Sequence, residues 1–307
     1  MSTFTAMKAF LQRRFPDLFR WYRKVKYSVR EQRWMPDNTQ LKGVNTRLFA
    51  DPYDPRGFNL LSNRSALQPH IKQYWSHALY VLQPEVVIDC GVNYGEILFS
   101  VEYPEQTKAI YGIEANPALH TYLDQSRKHH PDYDRIQLVN KLAGEHDDAS
   151  ITFYIDKQSS GRSSAQPNNF VKDAHPTVVT SIRIDKLISG NIASFSSLVF
   201  KIDVEGYEPP VLRGMTGILE DGIQAIGCIE FNLSFLQQND MDVEAYLRFI
   251  NLFFVVALLT PQCDILELEK LEINAIRKHI SNDHLEVDIL LFSDVSLRQK
   301  FVEGFIR

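Results

Sequence analysis

The chain has 307 residues, of which 44% are hydrophobic and 11% aromatic, and its formal net charge is −5. This length and composition suit one large folded domain and exclude a disordered protein. Three widely spaced cysteines without a CxxC pair argue against a disulfide framework or a zinc site. No apolar stretch is long enough to span a membrane, so we expect a soluble, cytoplasmic protein.

Residues 1–34 form a basic segment. Nine Lys/Arg stand against two Asp/Glu, a charge of +7 that leaves −12 on the remainder of the chain. Bulky residues recur at helical spacing from Phe4 to Val25, with a break at Pro16. The pattern predicts an amphipathic helical arm. The arm either packs on its own domain or contacts a partner protein or the inner face of a membrane, and we expect no nucleic-acid partner.

Residues 35–69 are rich in Pro, Asp, Asn and Arg and predict a connector with turns. The helical spacing of residues 70–82 then marks the start of the main domain, residues 70–307. Strand-like and helix-like segments alternate from there: "EVVIDC", "YGEILFSVEY", "KAIYGIEA", "PALHTYLDQSRKHH" and "IQLVNKL". This order predicts βαβ units and therefore an α/β fold with a doubly wound, mostly parallel, Rossmann-like sheet.

The second half of the chain continues the sheet after an interruption. The strand-like "ASITFYID" leads into the polar loop "SSGRSSAQPNNF", which predicts a lid. An extended segment "TVVTSIRIDKLI", two strands "SLVFKID" and "QAIGCIEF", a helix "DVEAYLRFINLF" and late strands "FVVALL" and "VDILLF" follow. Pro209 and Pro210 indicate that a helix begins just after "FKIDVEG".

Acidic residues follow most of the predicted strands. Ligands of open α/β sheets bind beyond the carboxyl ends of the strands. Four of the five ends that we assign carry an acid, namely Asp89, Glu114, Asp203 with Glu205, and Glu230 with Asn232. Buried carboxylates are costly unless they are paired, so these ends predict a ligand with hydroxyls, a cation or an amine.

The loop after the first strand, "DCGVNYGE", predicts the nature of that ligand. Gly91 permits a tight turn, and Gly95 permits the close approach of a helix or a ligand. Asn93 replaces the second glycine of a dinucleotide-binding fingerprint, and no Walker lysine follows. An acid at the loop entrance disfavours phosphate and suits the sulfonium and amine of S-adenosylmethionine. Glu114, 25 positions after Asp89, is placed to accept hydrogen bonds from ribose hydroxyls.

The motifs "VIDCGVNYGE", "YGIEANP", "SSGRSS" and above all "FKIDVEGYEPPVLRGM" resemble the FkbM-type S-adenosylmethionine-dependent methyltransferases, over about half the chain. The resemblance implies an O-methyltransferase that acts on a hydroxyl, often of a sugar in a glycan or glycoconjugate. By the same resemblance, the cofactor-binding residues are Asp89, Gly91, Asn93, Gly95, Glu114 and Asn116. Leu98 departs from the family, which usually has a small hydroxyl residue there.

Asp203 and Glu205 are the predicted catalytic residues. They lie two positions apart, so a continuing strand would direct both side chains towards the cleft. We predict that one of them takes the proton of the acceptor hydroxyl, while Lys201 holds their charge. Two alternatives stay open: both help to bind a divalent cation such as Mg²⁺, or Asp203 only closes the cofactor site or caps the next helix while Glu205 pairs with Lys201.

Further candidates concern the acceptor and the overall function. Glu230, Asn232 and His175 are candidate acceptor-binding residues, and Arg162 in the serine-rich loop is a candidate contact for an acidic acceptor. The other functions that the sequence leaves open are an NAD(P)-dependent oxidoreductase on a similar fold and a scaffold that binds through its basic arm. The oligomeric state and the identity of the acceptor are not predicted.

Overall fold

The computed structural model describes residues 36–63, 67–156, 159–167, 174–192, 194–282 and 284–305, with Leu18, Trp21, Tyr22, Val25, Tyr27 and Ser28. Most of the predicted arm lies outside these residues. In its described part, Leu18, Trp21 and Tyr22 are exposed, whereas Tyr27 is buried and its ring meets that of Phe58 edge-on. None of the described helices has the length and apolar character that a membrane crossing requires.

The described strands are, in chain order, β1 (Asn38–Gln40), β2 (Arg47–Phe49), β3 (Val86–Cys90), β4 (Ala109–Ile113), β5 (Ile136–Val139), β6 (Leu142–Ala143), β7 (Ser150–Asp156), β8 (Ala174–Ile182), β9 (Ser197–Ile202), β10 (Gln224–Asn232), β11 (Val255–Leu259), β12 (Ile265–Leu268) and β13 (Glu286–Phe292). The α-helices are α1 (Pro55–Ser62), α2 (Pro69–Leu82), α3 (His120–Lys128), α4 (Ile184–Ser189), α5 (Glu208–Arg213), α6 (Thr216–Glu220), α7 (Leu233–Gln238), α8 (Val243–Phe253), α9 (Ile273–Arg277) and α10 (Val295–Gly304). Short 3₁₀ turns occur at Pro117–Leu119 and Ser160–Arg162.

Eight of these strands form the central sheet, in the order β12-β11-β13-β10-β9-β3-β4-β5. The five strands from β10 to β5 pair in parallel, whereas β13 is antiparallel to both of its neighbours and β12 is antiparallel to β11. Six of the eight strands therefore run in the same direction, which confirms the predicted doubly wound, mostly parallel sheet. The strand order reverses at β3, and a crevice at the carboxyl ends of β3, β4 and β9 is the usual ligand position in such sheets.

The sheet is covered on both faces, because the apolar runs of its strands supply side chains in both directions. Val86, Ile88 and Cys90 point into a core that helices α5 and α8 cover, whereas Val87 points into a second core beside α2 and α10. Cys90 and Cys228 are buried, as predicted. The five adjacent parallel strands, from β10 to β5, thus place their carboxyl ends side by side.

The segment predicted as a connector contains the β1–β2 hairpin and helix α1. Leu41, Leu48 and Leu60 from these elements are buried in the second core, together with side chains of α2. The division between connector and main domain at residue 69 stays a prediction, since the two segments share this core. What the structure adds is that α1 reaches the carboxyl edge of the sheet.

Two local predictions are wrong. The segment "YGEILFSVEY" forms turns instead of a helix: Phe99 N–H bonds to Gly95 O, Ser100 N–H bonds only three residues back, to Ile97 O, and Ile97, Leu98 and Phe99 are all buried.

The segment "TVVTSIRIDKLI" is extended only as far as Ile182, where β8 ends, and α4 follows. Ile184 and Ile188, four residues apart, are both fully buried. This spacing is that of one helix face, and it explains why the second half of the segment is helical. The remaining strands, and the helices that begin near Pro117, Pro209 and Asp242, agree with the sequence prediction.

Candidate active site

A cavity of about 270 Å³ lies at the carboxyl ends of β3, β4, β9 and β10. Most residues predicted to bind the cofactor or to take part in catalysis line it, namely Asp89, Gly91, Asn93, Glu114, Lys201, Asp203 and Glu205, together with the predicted acceptor-binding residue Glu230. β3 and β4 lie within residues 86–113 of the chain, whereas β9 and β10 lie within residues 197–232. The fold therefore brings the two predicted groups of residues to one place.

Gly91 permits a close approach between the loops that follow β3 and β9. Its φ is +79°, and a Cβ atom there would lie 1.8 Å from the carbonyl oxygen of Asp203. The amide of Asp203 donates a hydrogen bond to the carbonyl oxygen of Cys90 at 3.1 Å. No side chain larger than hydrogen fits at residue 91 without moving Asp203. Gly91 therefore sets the distance between residues 89–95 at the end of β3, here called the donor loop, and residues 203–207 after β9, here called the catalytic loop.

Gly95 has a different role from the predicted approach of a helix or ligand. Its φ is +86°, and a Cβ atom there would lie 2.3 Å from the ring of Phe99. The glycine therefore accommodates a buried side chain of its own turn. It does not line the cavity, and a role in cofactor binding stays a prediction.

Glu114 holds the donor loop against the end of β4. Its side chain accepts hydrogen bonds from the amides of Asn93 and Asn116, both at 2.8 Å. Burial raises the pKa of Glu114 to about 7, against the opposing effect of these two bonds. Each carboxylate oxygen has a second lone pair, so Glu114 still has acceptor capacity towards the cavity. Asn116 is buried and caps the turn at Pro117–Leu119, so it acts here through Glu114.

Lys201 lies between the donor loop and the catalytic loop. Its ammonium is 3.5 Å from Asp89 Oδ1 and 3.1 Å from Asp203 Oδ2. Burial disfavours the charged form, but the two carboxylates outweigh it and raise the pKa of Lys201. Burial also raises the pKa of Asp89 to about 6, against the opposing effect of Lys201. Lys201 pairs with Asp203 as predicted, and no ion pair with Glu205 occurs among the described residues.

Asp203, Glu205 and Glu230 each offer a carboxylate oxygen, and these oxygens lie within 4.8 Å of one another. Strand geometry does not cause this arrangement, because β9 ends at Ile202 and Glu205 has a φ of +55°. Burial, reinforced by the charge of Asp203, raises the pKa of Glu205 and Glu230 well above the usual range. Carboxylates this close cannot all ionise without a cation, so the group can take a proton or hold a positive ion.

Glu208 has a structural role instead of a chemical one. It is buried, and its Oε1 accepts hydrogen bonds from the amides of Val204 and Gly206 at 3.0 and 3.2 Å. Burial raises the pKa of Glu208 to about 7, although both bonds favour the carboxylate. It shapes the loop that presents Asp203 and Glu205, so neither of those residues is needed as the cap of α5.

Arg56 and Glu96 are site residues that the sequence analysis missed. Arg56, from α1, forms an ion pair with Glu96 inside the cavity. The charge of Glu96 raises the pKa of Arg56 most, and the charges of Asp203 and Glu205 raise it further. Glu96 directly follows Gly95, so its position beside the donor loop was a signal in the sequence. Nothing local marks Arg56, which the β1–β2 hairpin and α1 bring in from another part of the chain.

Three further candidates lie outside the cavity lining. Asn232 is buried at the end of β10, where it caps α7 through Phe235 N–H and donates to Glu286. His175 is exposed on β8, paired with Ile155. Arg162 pairs with Asp156. The structure therefore does not bring Asn232, His175 or Arg162 to the catalytic group.

A family model described as the methyltransferase FkbM domain matches residues 89–254, more than half of the chain. The chain belongs to the FkbM methyltransferase family. The match begins at the donor-loop Asp89 and includes the carboxylates Asp203, Glu205 and Glu230. It leaves out α1 and therefore Arg56. The methyltransferase fold implies S-adenosylmethionine as the methyl donor.

Solved structures of methyltransferases resemble this FkbM family member at low identity. One is methyltransferase FkbM from Methylobacillus flagellatus KT, at 16% identity and a TM-score of 0.38, with 78% of this chain and 61% of that chain covered. Others are the precorrin-6y C5,15-methyltransferase from Geobacter metallireducens GS-15 (10%, TM-score 0.36, 72% and 88% covered) and an rRNA methylase from Streptococcus thermophilus (12%, TM-score 0.35, 71% and 93% covered). This chain thus spans less than two thirds of the M. flagellatus protein, and no curated protein matches it.

Proposed function

We propose that the protein transfers a methyl group from S-adenosylmethionine to a hydroxyl of a sugar in a glycan or glycoconjugate. One observation carries the proposal: a single cavity joins Asp89, Asn93 and Glu114 to the carboxylates of Asp203, Glu205 and Glu230. When bound, S-adenosylmethionine supplies a methyl group on a cationic sulfur. The negative potential of such a cavity attracts that charge.

The donor half has residues that fit this group. Asp89 is 1% exposed, and its Oδ1 lies 3.5 Å from the Lys201 ammonium but accepts no hydrogen bond of good geometry among the described residues. This oxygen has lone pairs left for a further bond, which an amine or hydroxyl of the donor would provide. Glu114 retains acceptor capacity for the ribose hydroxyls, and the Asn93 loop would lie along the same face of the donor.

The acceptor half supplies the proton acceptor. In the reaction, the acceptor oxygen bonds to the methyl carbon while the carbon–sulfur bond breaks, and the hydroxyl proton passes to a carboxylate. Glu205 and Glu230 suit this role because a carboxylate whose pKa is raised is a stronger base once it is ionised. Lys201 holds Asp203 in place beside them. In-line positioning of acceptor and donor contributes the rest of the acceleration.

The same three carboxylates favour a variant of this function in which they hold a divalent cation next to the acceptor. Oxygen ligands suit Mg²⁺, and Glu230 adds a third ligand to the pair that the sequence predicted. A cation at this position supplies Lewis-acid polarisation of the hydroxyl. Chelation distinguishes the two arrangements: methyl transfer that EDTA abolishes and Mg²⁺ restores supports the cation, whereas unchanged transfer supports a carboxylate base alone.

The test uses the full chain, S-adenosylmethionine with a labelled methyl group, and a panel of neutral, acidic and amino methyl glycosides. We expect label on a sugar oxygen. In the Glu205→Gln/Glu230→Gln double variant, kcat should fall by at least about a hundredfold, while the KM for S-adenosylmethionine should stay unchanged. The control is Glu220→Gln, a surface carboxylate on α6. Wild-type kcat in the double variant would show that neither residue is the base, and label on amines only would overturn the hydroxyl acceptor.

A further inference from the structure

The serine-rich loop, residues 159–164, crosses the cavity from its donor side to its acceptor side. The hydroxyl of Ser160 lies 3.2 Å from Oδ1 of Asn93 in the donor loop. The hydroxyl of Ser164, which is fully buried, donates to the carbonyl oxygen of Glu205 at 2.9 Å. Ser160, Gly161 and Ser163 line the cavity between these two contacts. The loop therefore forms a cover that touches both halves of the site.

Asp54, the residue before α1, holds the donor-side end of this loop. Its two carboxylate oxygens accept hydrogen bonds from the amide of Ser160 at 3.1 Å and from its hydroxyl at 2.5 Å. The same side chain caps α1 through the amide of Gly57, and its charge adds to the effect of burial in raising the pKa of Tyr94 in the donor loop. One carboxylate thus joins α1, the donor loop and the serine-rich loop.

The loop is tied at both ends. The Tyr154–Ser164 bridge and the bond from Asp156 N–H to Ser163 Oγ hold its far end to β7, and Asp54 holds the end at Ser160. Among the described residues, the amide and hydroxyl of Ser160 contact only Asp54 and Asn93 outside the loop. Within the loop, two short turns, from Arg162 N–H to Ser159 O and from Ser163 N–H to Ser160 O, provide the internal bonds. Bonds to an ionised acceptor are stronger than neutral ones, so the two bonds to Asp54 are the main fixed point at this end.

We propose that Asp54 is a positioning residue that keeps the serine-rich loop across the donor pocket, so that the bound methyl donor is enclosed. Asp54 lies outside the span that the family model matches, residues 89–254. The proposal rests on the proposed function, since it takes the pocket beside Asn93 and Glu114 to be the donor site. Arg56 supports the same cover, because its side-chain stem lies beneath Gly161.

The test compares two N-cap removals in the full chain. Asp54→Ala removes the cap of α1 and the contacts to Ser160. Asp294→Ala removes the cap of α10, where Asp294 accepts from the amide of Leu297 at 2.9 Å, and a long bond from the hydroxyl of Ser293 at 3.5 Å. Both should lower the melting temperature to a similar degree. Only Asp54→Ala should weaken the binding of S-adenosylhomocysteine, by about tenfold, and speed amide hydrogen exchange in residues 159–164.

A second variant separates the loop from the cap of α1. Ser160→Ala keeps Asp54 and its bond to Gly57, and it should also weaken S-adenosylhomocysteine binding. Because the two side chains share the bond between the Ser160 hydroxyl and Asp54, the loss of binding in the Asp54→Ala/Ser160→Ala double variant should be smaller than the sum of the two single losses. Wild-type affinity in Asp54→Ala, or an equal loss in Asp294→Ala, would overturn the proposal.

Failure of the proposed function gives a different result. If the wild-type protein binds no S-adenosylhomocysteine, the donor site is wrong and the enclosure of the donor falls with it. The exchange rates of residues 159–164 in the ligand-free proteins would still show whether Asp54 holds the loop. Equal exchange in wild type and Asp54→Ala would overturn that part as well.

Discussion

Replacing Lys201 with Met should destabilise the protein strongly and in a pH-dependent way. Lys201 is 5% exposed and shares its ammonium between Asp89, which is 1% exposed, and Asp203. Met has a similar volume but leaves two carboxylates without their cation. Breaking a buried ion pair in this way costs about 3–5 kcal/mol, which is a large part of a typical free energy of unfolding of about 5–15 kcal/mol.

The sign of the pH dependence follows from Asp89. Its pKa is already raised from the ordinary value of 3.8 to about 6, and loss of Lys201 raises it further. The folded state therefore prefers the protonated acid. The stability that this provides is lost as pH rises through the folded-state pKa. The variant should be closest to wild type near pH 5 and furthest from it near pH 8.

Urea unfolding at pH 5 and pH 8 measures this effect as the change in transition midpoint at constant slope. The double variant Lys201→Met/Asp203→Asn should recover part of the loss, because one of the two unpaired charges is gone. An equal loss at both pH values, or no recovery in the double variant, would refute the role of Lys201 as the shared cation.

Two other predictions concern the loops around the site. Gly91→Ala should lower the free energy of unfolding by about 2–5 kcal/mol and abolish binding of S-adenosylhomocysteine, because its Cβ would displace Asp203. The control is Gly43→Ala, which has a φ of +85° and no atom within 4 Å of the added Cβ, and which should cost only about 1 kcal/mol. Equal losses of the two variants in urea unfolding would contradict the clash at residue 91. Glu208 has a pKa raised from 4.5 to about 7, so its ionisation costs stability as pH rises through this window. As pH rises from 4 to 8, the free energy of unfolding of Glu208→Gln should increase relative to that of wild type by up to about 3 kcal/mol. A constant difference between the two proteins across this pH range would exclude the prediction.

Most of the fold follows from local pattern. The apolar runs of β3, β4, β9 and β10 are each buried over nearly their whole length, and such runs separated by helical segments specify a covered parallel sheet. The wrong prediction of a helix at residues 94–103 also comes from local pattern, since a buried turn and a buried helix share an apolar composition. Periodicity alone does not distinguish them.

The site was predicted in part. Asp89 is the second-last residue of β3, and Glu114 and Asp203 directly follow β4 and β9, so topology alone places all three at one edge of the sheet. Strand alternation predicted that Glu205 faces the cleft, but the structure places it there for another reason. Glu205 has a left-handed backbone conformation, in a loop that Glu208 holds through the amide of Gly206. The contacts of Asp54 and Arg56 join residues 40 to 106 positions apart, and no local signal in a single sequence encodes contacts of that range.

The central claim is that the ends of β3 and β4 bind S-adenosylmethionine through Asp89, the Asn93 loop and Glu114. Calorimetric titration of the full chain with S-adenosylhomocysteine tests it most directly, with NAD as the comparison ligand and Glu114→Ala as the variant. The account predicts micromolar binding of S-adenosylhomocysteine, loss of that binding in Glu114→Ala and no binding of NAD. Binding of NAD in place of S-adenosylhomocysteine would contradict the account and favour an oxidoreductase, and binding of neither ligand would favour a scaffold.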